Sequence, residues 1–138
     1  MRFNIVATSS VAGKYGAPLR TGYSAAKHAL HGYFDSLRLE LAPFNVSVSL
    51  IVLGAVKTDI SKSALKGDGT SFNEMDPLQA GAPACEELLD DLFAQLATEK
   101  REVVVGRGIE IDALTLLRED PDRFHAMLTE ITMKAIFE

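Results

Sequence analysis

FNIVATSSVAGKYGAPLRTGYSAAKHALHGYFDSLRLEL, running from Phe3 to Leu41, decides the fold. Its opening, Phe3–Thr8, is a short apolar run stopped by Ser9-Ser10 and by the glycines at 13 and 16. That is the pattern of a buried strand feeding a loop. From Thr21 to Leu41 the period changes. Ala26, Leu30, Tyr33, Phe34, Leu37 and Leu41 recur three or four residues apart among Lys27, Asp35, Arg38 and Glu40, which predicts a helix with one apolar stripe. Pro43 and Asn45 end it.

Outward from this unit, Val46–Leu53 reads as a strand apolar on both faces, as in a parallel sheet covered on each side. Residues 59–80 lack strong periodicity; they predict a long loop with a short helix around Ser61–Leu65 and a turn at Gly67-Asp68-Gly69. Pro83 is expected to open a second helix, with Leu88, Leu89, Leu92, Phe93 and Leu96 as its buried stripe. Glu102–Val105 is a third short strand. The tail from Ile109 predicts helix, broken at Pro121 and resuming with Phe124, Leu128, Ile131 and Ile136 apolar. Strand, helix, strand, helix, strand is the order of a parallel α/β sheet, partial and Rossmann-like, with about three strands and flanking helices. So few strands predict an edge or face without cover unless another chain or further residues supply it. Residues 1–138 are read as a single partial domain.

Composition narrows the function classes. In 138 residues there are 14 basic and 19 acidic side chains, a net charge of −5, with the basic residues scattered. This argues against a nucleic-acid partner, which needs a basic face against phosphates. The single cysteine, Cys85, forms no internal disulfide and suits a reducing compartment. No apolar run approaches the roughly 18 residues that span a bilayer. These features predict a cytoplasmic chain without a transmembrane segment; an N-terminal anchor in a longer parent stays open.

The chemistry gathers at Tyr23-Ser-Ala-Ala-Lys27. The i, i+4 spacing puts a phenol and an ammonium on one helix face, a turn apart. A free tyrosine ionises near ~10, too high for acid/base work at neutral pH, and a neighbouring lysine favours the phenolate. Ser10, at the end of the preceding strand, is placed to hold a carbonyl or alcohol oxygen beside the Tyr23 hydroxyl. The pair alone is weak evidence, since exposed helices carry Tyr-x-x-x-Lys by chance.

Its context is specific. IVATSSVAG (Ile5–Gly13) followed by YSAAK (Tyr23–Lys27), and then Leu53-Gly54-Ala55-Val56-Lys57-Thr58 after a strand, resemble three ordered motifs of the short-chain dehydrogenase/reductase family. Leu53 departs from the usual proline of the third motif, as it does in some hydroxysteroid-dehydrogenase-like members. The resemblance implies an NAD(P)-dependent oxidoreductase that moves a hydride between nicotinamide and a small carbonyl or alcohol substrate. It implies Tyr23 as general acid/base, Lys27 as the group that activates Tyr23 and holds the nicotinamide ribose, and Ser10 as the residue that positions the substrate oxygen. Gly54, Val56 and Thr58 fall at the nicotinamide end, with the Val56 backbone and the Thr58 hydroxyl on the carboxamide. Residues 58–82 resemble the variable substrate lid, and a homo-oligomer is the family expectation. The glycine-rich turn, the Asn-Asn-Ala-Gly-like motif and the catalytic asparagine of complete members do not occur in this sequence. The resemblance therefore covers the second half of the family fold, and the half that binds the dinucleotide, NAD or NADP, is expected to lie outside this chain. The rival expectation is a truncated, non-catalytic fragment that works as an oligomerisation or interaction module.

Other candidates reduce to structure. His28 and His31 are read as surface or interface histidines and His125 as solvated, so no metal site is expected. Cys85 is expected to be a buried, inert thiol, and Tyr15 and Tyr33 packing residues. Glu86, Glu87, Asp90 and Asp91 predict the solvated face of a helix, favourable near its N-terminus.

Overall fold

A computed structural model describes residues 3–137. Three parallel strands lie side by side in the order β1 (Phe3–Ser10), β2 (Val46–Leu53), β3 (Glu102–Val105). The helices are α1 (Thr21–Leu41), α2 (Pro77–Ala80), α3 (Leu89–Leu96), α4 (Ile109–Glu119) and α5 (Pro121–Phe137). The α/β class, the three parallel strands and the α1 boundaries agree with the sequence reading. β1 runs two residues further than the predicted Thr8, because Ser9 and Ser10 continue the register opposite Val52 and Leu53.

Register assigns the two faces of the sheet. Side chains alternate along each strand, and in-register neighbours share a face. Ser9, Leu50, Val52 and Glu102 therefore fall on one face, and Leu53, Val103 and Val105 on the other. The first face packs against α1, whose Lys27 and His31 reach Ser9. On the second, Val103 and Val105 pack with Leu88, and Leu92 and Leu96 of α3 close over them. The centre is dry: Leu50, Val52 and Val103 are all 0% exposed. Arg38 struts α1 to the sheet by donating to the carbonyls of Val48 (2.8 Å) and Arg101 (3.2 Å) while paired with Asp35.

Among the described residues nothing covers the outer edge of β1, as the small strand count predicts, so Phe3, Ile5 and Val6 are exposed and the strand is not buried along its length as its pattern suggests. Other expectations fail. Ser61–Leu65 is a series of turns, because the Ser61 hydroxyl is spent on Asp76 N–H (3.0 Å) and Leu65 bridges to Ser71; the short helix forms instead at α2, where the Asp76 carboxylate caps Leu78 N–H. Pro83 opens no helix, since its carbonyl accepts from Lys57 N–H (2.9 Å); a 3-10 turn starts at Cys85 and α3 at Leu89. The rotation this imposes leaves Leu89 and Phe93 exposed, with only Leu88 of the expected stripe buried. Cys85 is exposed at the start of that turn rather than buried. Tyr33 is also exposed; its ring meets Phe34 edge-on on the same helix.

Candidate active site

The carboxyl ends of β1 and β2 carry the candidate residues, the end of a parallel sheet at which α/β proteins bind ligands. At β1, Ser10 is buried and its backbone is extended; its hydroxyl oxygen accepts from Ala12 N–H (3.2 Å) and so caps the 3-10 turn Val11–Gly13. That leaves the hydroxyl hydrogen and one lone pair for a ligand. Tyr23 stands in the first turns of α1, half open to solvent, and the Lys27 ammonium lies 5.6 Å from its ring centroid. Lys27 is itself tied to β1, since its Nζ donates to the Thr8 carbonyl (3.2 Å). Helix pair and serine-bearing strand end are thus joined by a direct bond.

At β2, Gly54 N–H donates to the Val105 carbonyl (2.9 Å), holding the strand end against β3. Gly106 makes this close approach possible: it has φ +148°, and a Cβ there would sit 3.1 Å from the Gly54 backbone. Val56 turns inward onto the Leu88–Val103–Val105 cluster, whereas Thr58 is exposed. Between Ala55, Pro77, Leu78, Arg107, Ile109 and Glu110 lies an open cleft of about 560 Å³. Part of the 58–82 segment forms its wall, and that segment is anchored near Tyr23 by the Arg20–Asp76 ion pair. A second open cleft, about 320 Å³, opens beside Arg38, Asn45 and Val46 at the opposite end of β2.

The profile for short chain dehydrogenases matches residues 2–69. Dehydrogenase/reductase SDR family member 7B of Xenopus laevis is 32% identical over 128 residues, 93% of this chain and 40% of the relative. Its Mus musculus counterpart is 35% identical over 131 residues, 95% of this chain and 41% of the relative. A short chain dehydrogenase from Burkholderia cenocepacia, solved in complex with NADP, superposes with a TM-score of 0.71 at 25% identity, over 91% of this chain and 46% of that one. The chain belongs to the short-chain dehydrogenase/reductase family. A Burkholderia phymatum family member in complex with NAD shares the fold, with a TM-score of 0.64 at 19% identity, over 89% of this chain and 49% of that one. This family member spans about two-fifths of the length of the curated relatives it matches.

Residues around the site that have no functional role in the sequence reading also shape it. Glu110, in the first turn of α4, accepts from Ala55 N–H (2.5 Å) and so fixes the Gly54–Val56 loop from above. The only sequence signal for it is an acidic residue after Gly108, which reads as an ordinary helix start. His31 is no surface histidine. Its Nε2 lies 3.0 Å from Ser9 Oγ and its Nδ1 3.3 Å from Glu102 Oε1, and Glu102 also holds Lys14 Nζ at 2.9 Å. One signal for it was present: Tyr23, Lys27 and His31 follow at four-residue spacing, so all three share one helix face. His28 is exposed as expected, and its Nδ1–H donates to the Ser24 carbonyl (2.8 Å). Burial and the Glu110 charge push Tyr15 up to about 12, so that phenol stays neutral and serves packing.

Gly13 roofs the His31 contact. A Cβ there would lie 2.8 Å from both the His31 ring and Ser9 Oγ. Gly13→Ala is therefore expected to destabilise the protein by about 1–3 kcal/mol, the usual cost of overpacking, read as a lower urea midpoint at unchanged m-value. An unchanged midpoint would show that the loop gives way without strain.

Proposed function

We propose that this chain supplies the proton-transfer side of an NAD(P)-dependent oxidoreductase acting on a small carbonyl or alcohol substrate. The observation that carries this reading is the Tyr23–Lys27 pair bonded through Lys27 Nζ to the strand that ends in Ser10. In the direction of reduction, Ser10 holds the substrate oxygen with its free hydroxyl hydrogen and Tyr23 gives that oxygen its proton. Lys27 keeps positive charge beside the phenol, which favours the negative charge left on it. Orientation of the reacting groups adds to what these side chains contribute. The donor set, one ammonium, one exposed hydroxyl at Thr58 and the Val56 backbone, suits the nicotinamide end of a dinucleotide. When bound, the dinucleotide supplies the hydride acceptor or donor. The 58–82 segment is read as the substrate lid, because it walls the cleft beside Ala55.

A second reading is favoured by the uncovered β1 edge. Phe3 is 59% exposed and Val6 41%, which suits a chain that works as an interaction module. Titrating NADH and NADPH into the full natural polypeptide, followed by nicotinamide fluorescence and by sedimentation velocity, separates the two. Saturable binding with oxidation of the cofactor by a panel of aliphatic and aromatic carbonyls supports the oxidoreductase. Self-association with no affinity for either nucleotide rejects it in favour of the module.

A further inference from the structure

Between α1 and the sheet, four side chains run as one chain of contacts: Ser9, His31, Glu102 and Lys14. Ser9 Oγ to His31 Nε2 is 3.0 Å, His31 Nδ1 to Glu102 Oε1 is 3.3 Å, and Lys14 Nζ meets the two Glu102 oxygens at 2.9 and 3.0 Å. The roles follow from the partners. An ionised carboxylate only accepts, so Nδ1 of the neutral ring carries the hydrogen and Nε2 accepts the Ser9 hydroxyl. Glu102 is ionised: burial pushes it up, but the Lys14 hydrogen bond and charge bring it below the ordinary range. Ser, His and carboxylate in this order resemble a nucleophile relay. Ser9, however, is 2% exposed and roofed by Gly13, so no substrate carbonyl reaches it. The chain must act on its neighbours instead.

Those neighbours are the candidate site. Ser9 directly precedes Ser10, and its hydroxyl also lies 3.5 Å from the Lys27 carbonyl. We propose that neutral His31 is a positioning residue: by accepting the Ser9 hydroxyl it sets the end of β1, and Ser10 with it, against the turn of α1 that carries Tyr23 and Lys27. This role in the reaction rests on the oxidoreductase reading given above. Protonation changes the setting by a definite route. Both ring nitrogens then donate, so Ser9 must accept from Nε2 and turn its own hydrogen to the Lys27 carbonyl. One proton thus reverses the Ser9–His31 bond and turns the Ser9 hydrogen from the helix side chain to the helix backbone.

The charges that face the ring are Lys14 from the loop after β1, Asp35 on α1, and Glu102 of β3 with Arg101 just before it. Burial and Lys14 lower His31 below its ordinary 6.5, against the upward pull of Glu102 and Asp35. The ring is therefore neutral at pH 7. Because the unfolded chain binds this proton first, His31 also makes stability fall as pH drops from 6.5 through the lowered folded value.

The test is an NMR titration of the full natural polypeptide labelled at histidine and backbone nitrogen. Expected are an Nδ1–H tautomer for His31 at pH 7, a midpoint below 6.5, and Ser10 and Tyr23 amide resonances that move with that midpoint. His31→Gln keeps one acceptor and one donor but does not titrate. It should leave those resonances near their wild-type pH 7 positions and abolish their movement, whereas His31→Ala should displace them already at pH 7. In turnover of a probe carbonyl with NADPH, the wild type should lose about tenfold in kcat on the acid side, and His31→Gln should not. Ser10 and Tyr23 resonances that ignore the His31 midpoint overturn the proposal. So does a Gln variant that displaces them as far as Ala. The resonances need no turnover: coupled titration in an inactive protein rejects the oxidoreductase reading and keeps the network, and flat resonances in an active one do the reverse.

Discussion

The Tyr23→Phe protein is expected to bind nicotinamide dinucleotide about as tightly as the wild type and to lose on the order of 10²–10⁴ in turnover. The substitution removes one oxygen and leaves the ring. Tyr23 is 41% exposed, so little packing depends on it, and stability should stay within about 0.5 kcal/mol of wild type. Lys27 keeps its bond to the Thr8 carbonyl, so the geometry of the helix against β1 persists. What disappears is the group proposed to exchange a proton with the substrate oxygen. The measurement pairs kcat for a probe carbonyl with the Kd of NADPH, both in the full natural polypeptide. A loss confined to kcat fits an acid/base acting in the transition state. Unchanged turnover would remove Tyr23 from the chemistry, and a matching loss of cofactor affinity would assign it to binding.

Phe124→Ala is expected to cost about 3–5 kcal/mol, the largest stability effect of any single truncation proposed for this chain. Phe124 is 0% exposed in the first turns of α5, and its ring meets Tyr15 edge-on at 5.1 Å and 67°. Tyr15 sits in the loop that leads from Ser10 to α1. The contact therefore pins the C-terminal helix to the segment between the two candidate catalytic elements. Urea unfolding reads the stability loss. A second readout reads its cause: water admitted beside Tyr15 should bring its ionisation down from about 12 toward the ordinary 10, seen in the phenolate absorbance. The sign for stability is that a phenol held neutral by the fold favours folding below pH 10 and loses that contribution as pH rises toward 12. A cost under ~1 kcal/mol with Tyr15 unmoved would mean that the site collapses around the truncated side chain.

Local chemistry wrote much of this protein into its residue order. The 3.6-residue period of Thr21–Leu41 and the stops at Pro43 and Asn45 specify α1, and the apolar block Val46–Leu53, interrupted by Ser47 and Ser49, specifies a strand apolar on both faces. Strand, helix, strand then leaves a parallel sheet as the natural topology. The spacing of Tyr23 and Lys27 on one face of a helix follows from the helix alone. The candidate site was legible to that extent.

Tertiary structure decided the rest, where a residue's fate depends on a partner distant in sequence. Residues 59–80 carry no period, so which part becomes helix depended on Ser61 capturing the Asp76 amide and on Asp76 capping α2. Pro83 suits a helix start by itself, but its carbonyl is claimed by Lys57 from the end of the third motif. His31 reads as a surface residue until β3 brings Glu102 beneath it and the loop after β1 brings Lys14. Glu102 sits 71 positions beyond His31, and no periodicity encodes such a pairing. Residue order thus determined the elements and the candidate pair within one helix, because those depend on neighbours within a few turns. The polar network under the helix, and the burial of Phe124 on Tyr15, required the folded chain, because only the fold sets those groups side by side.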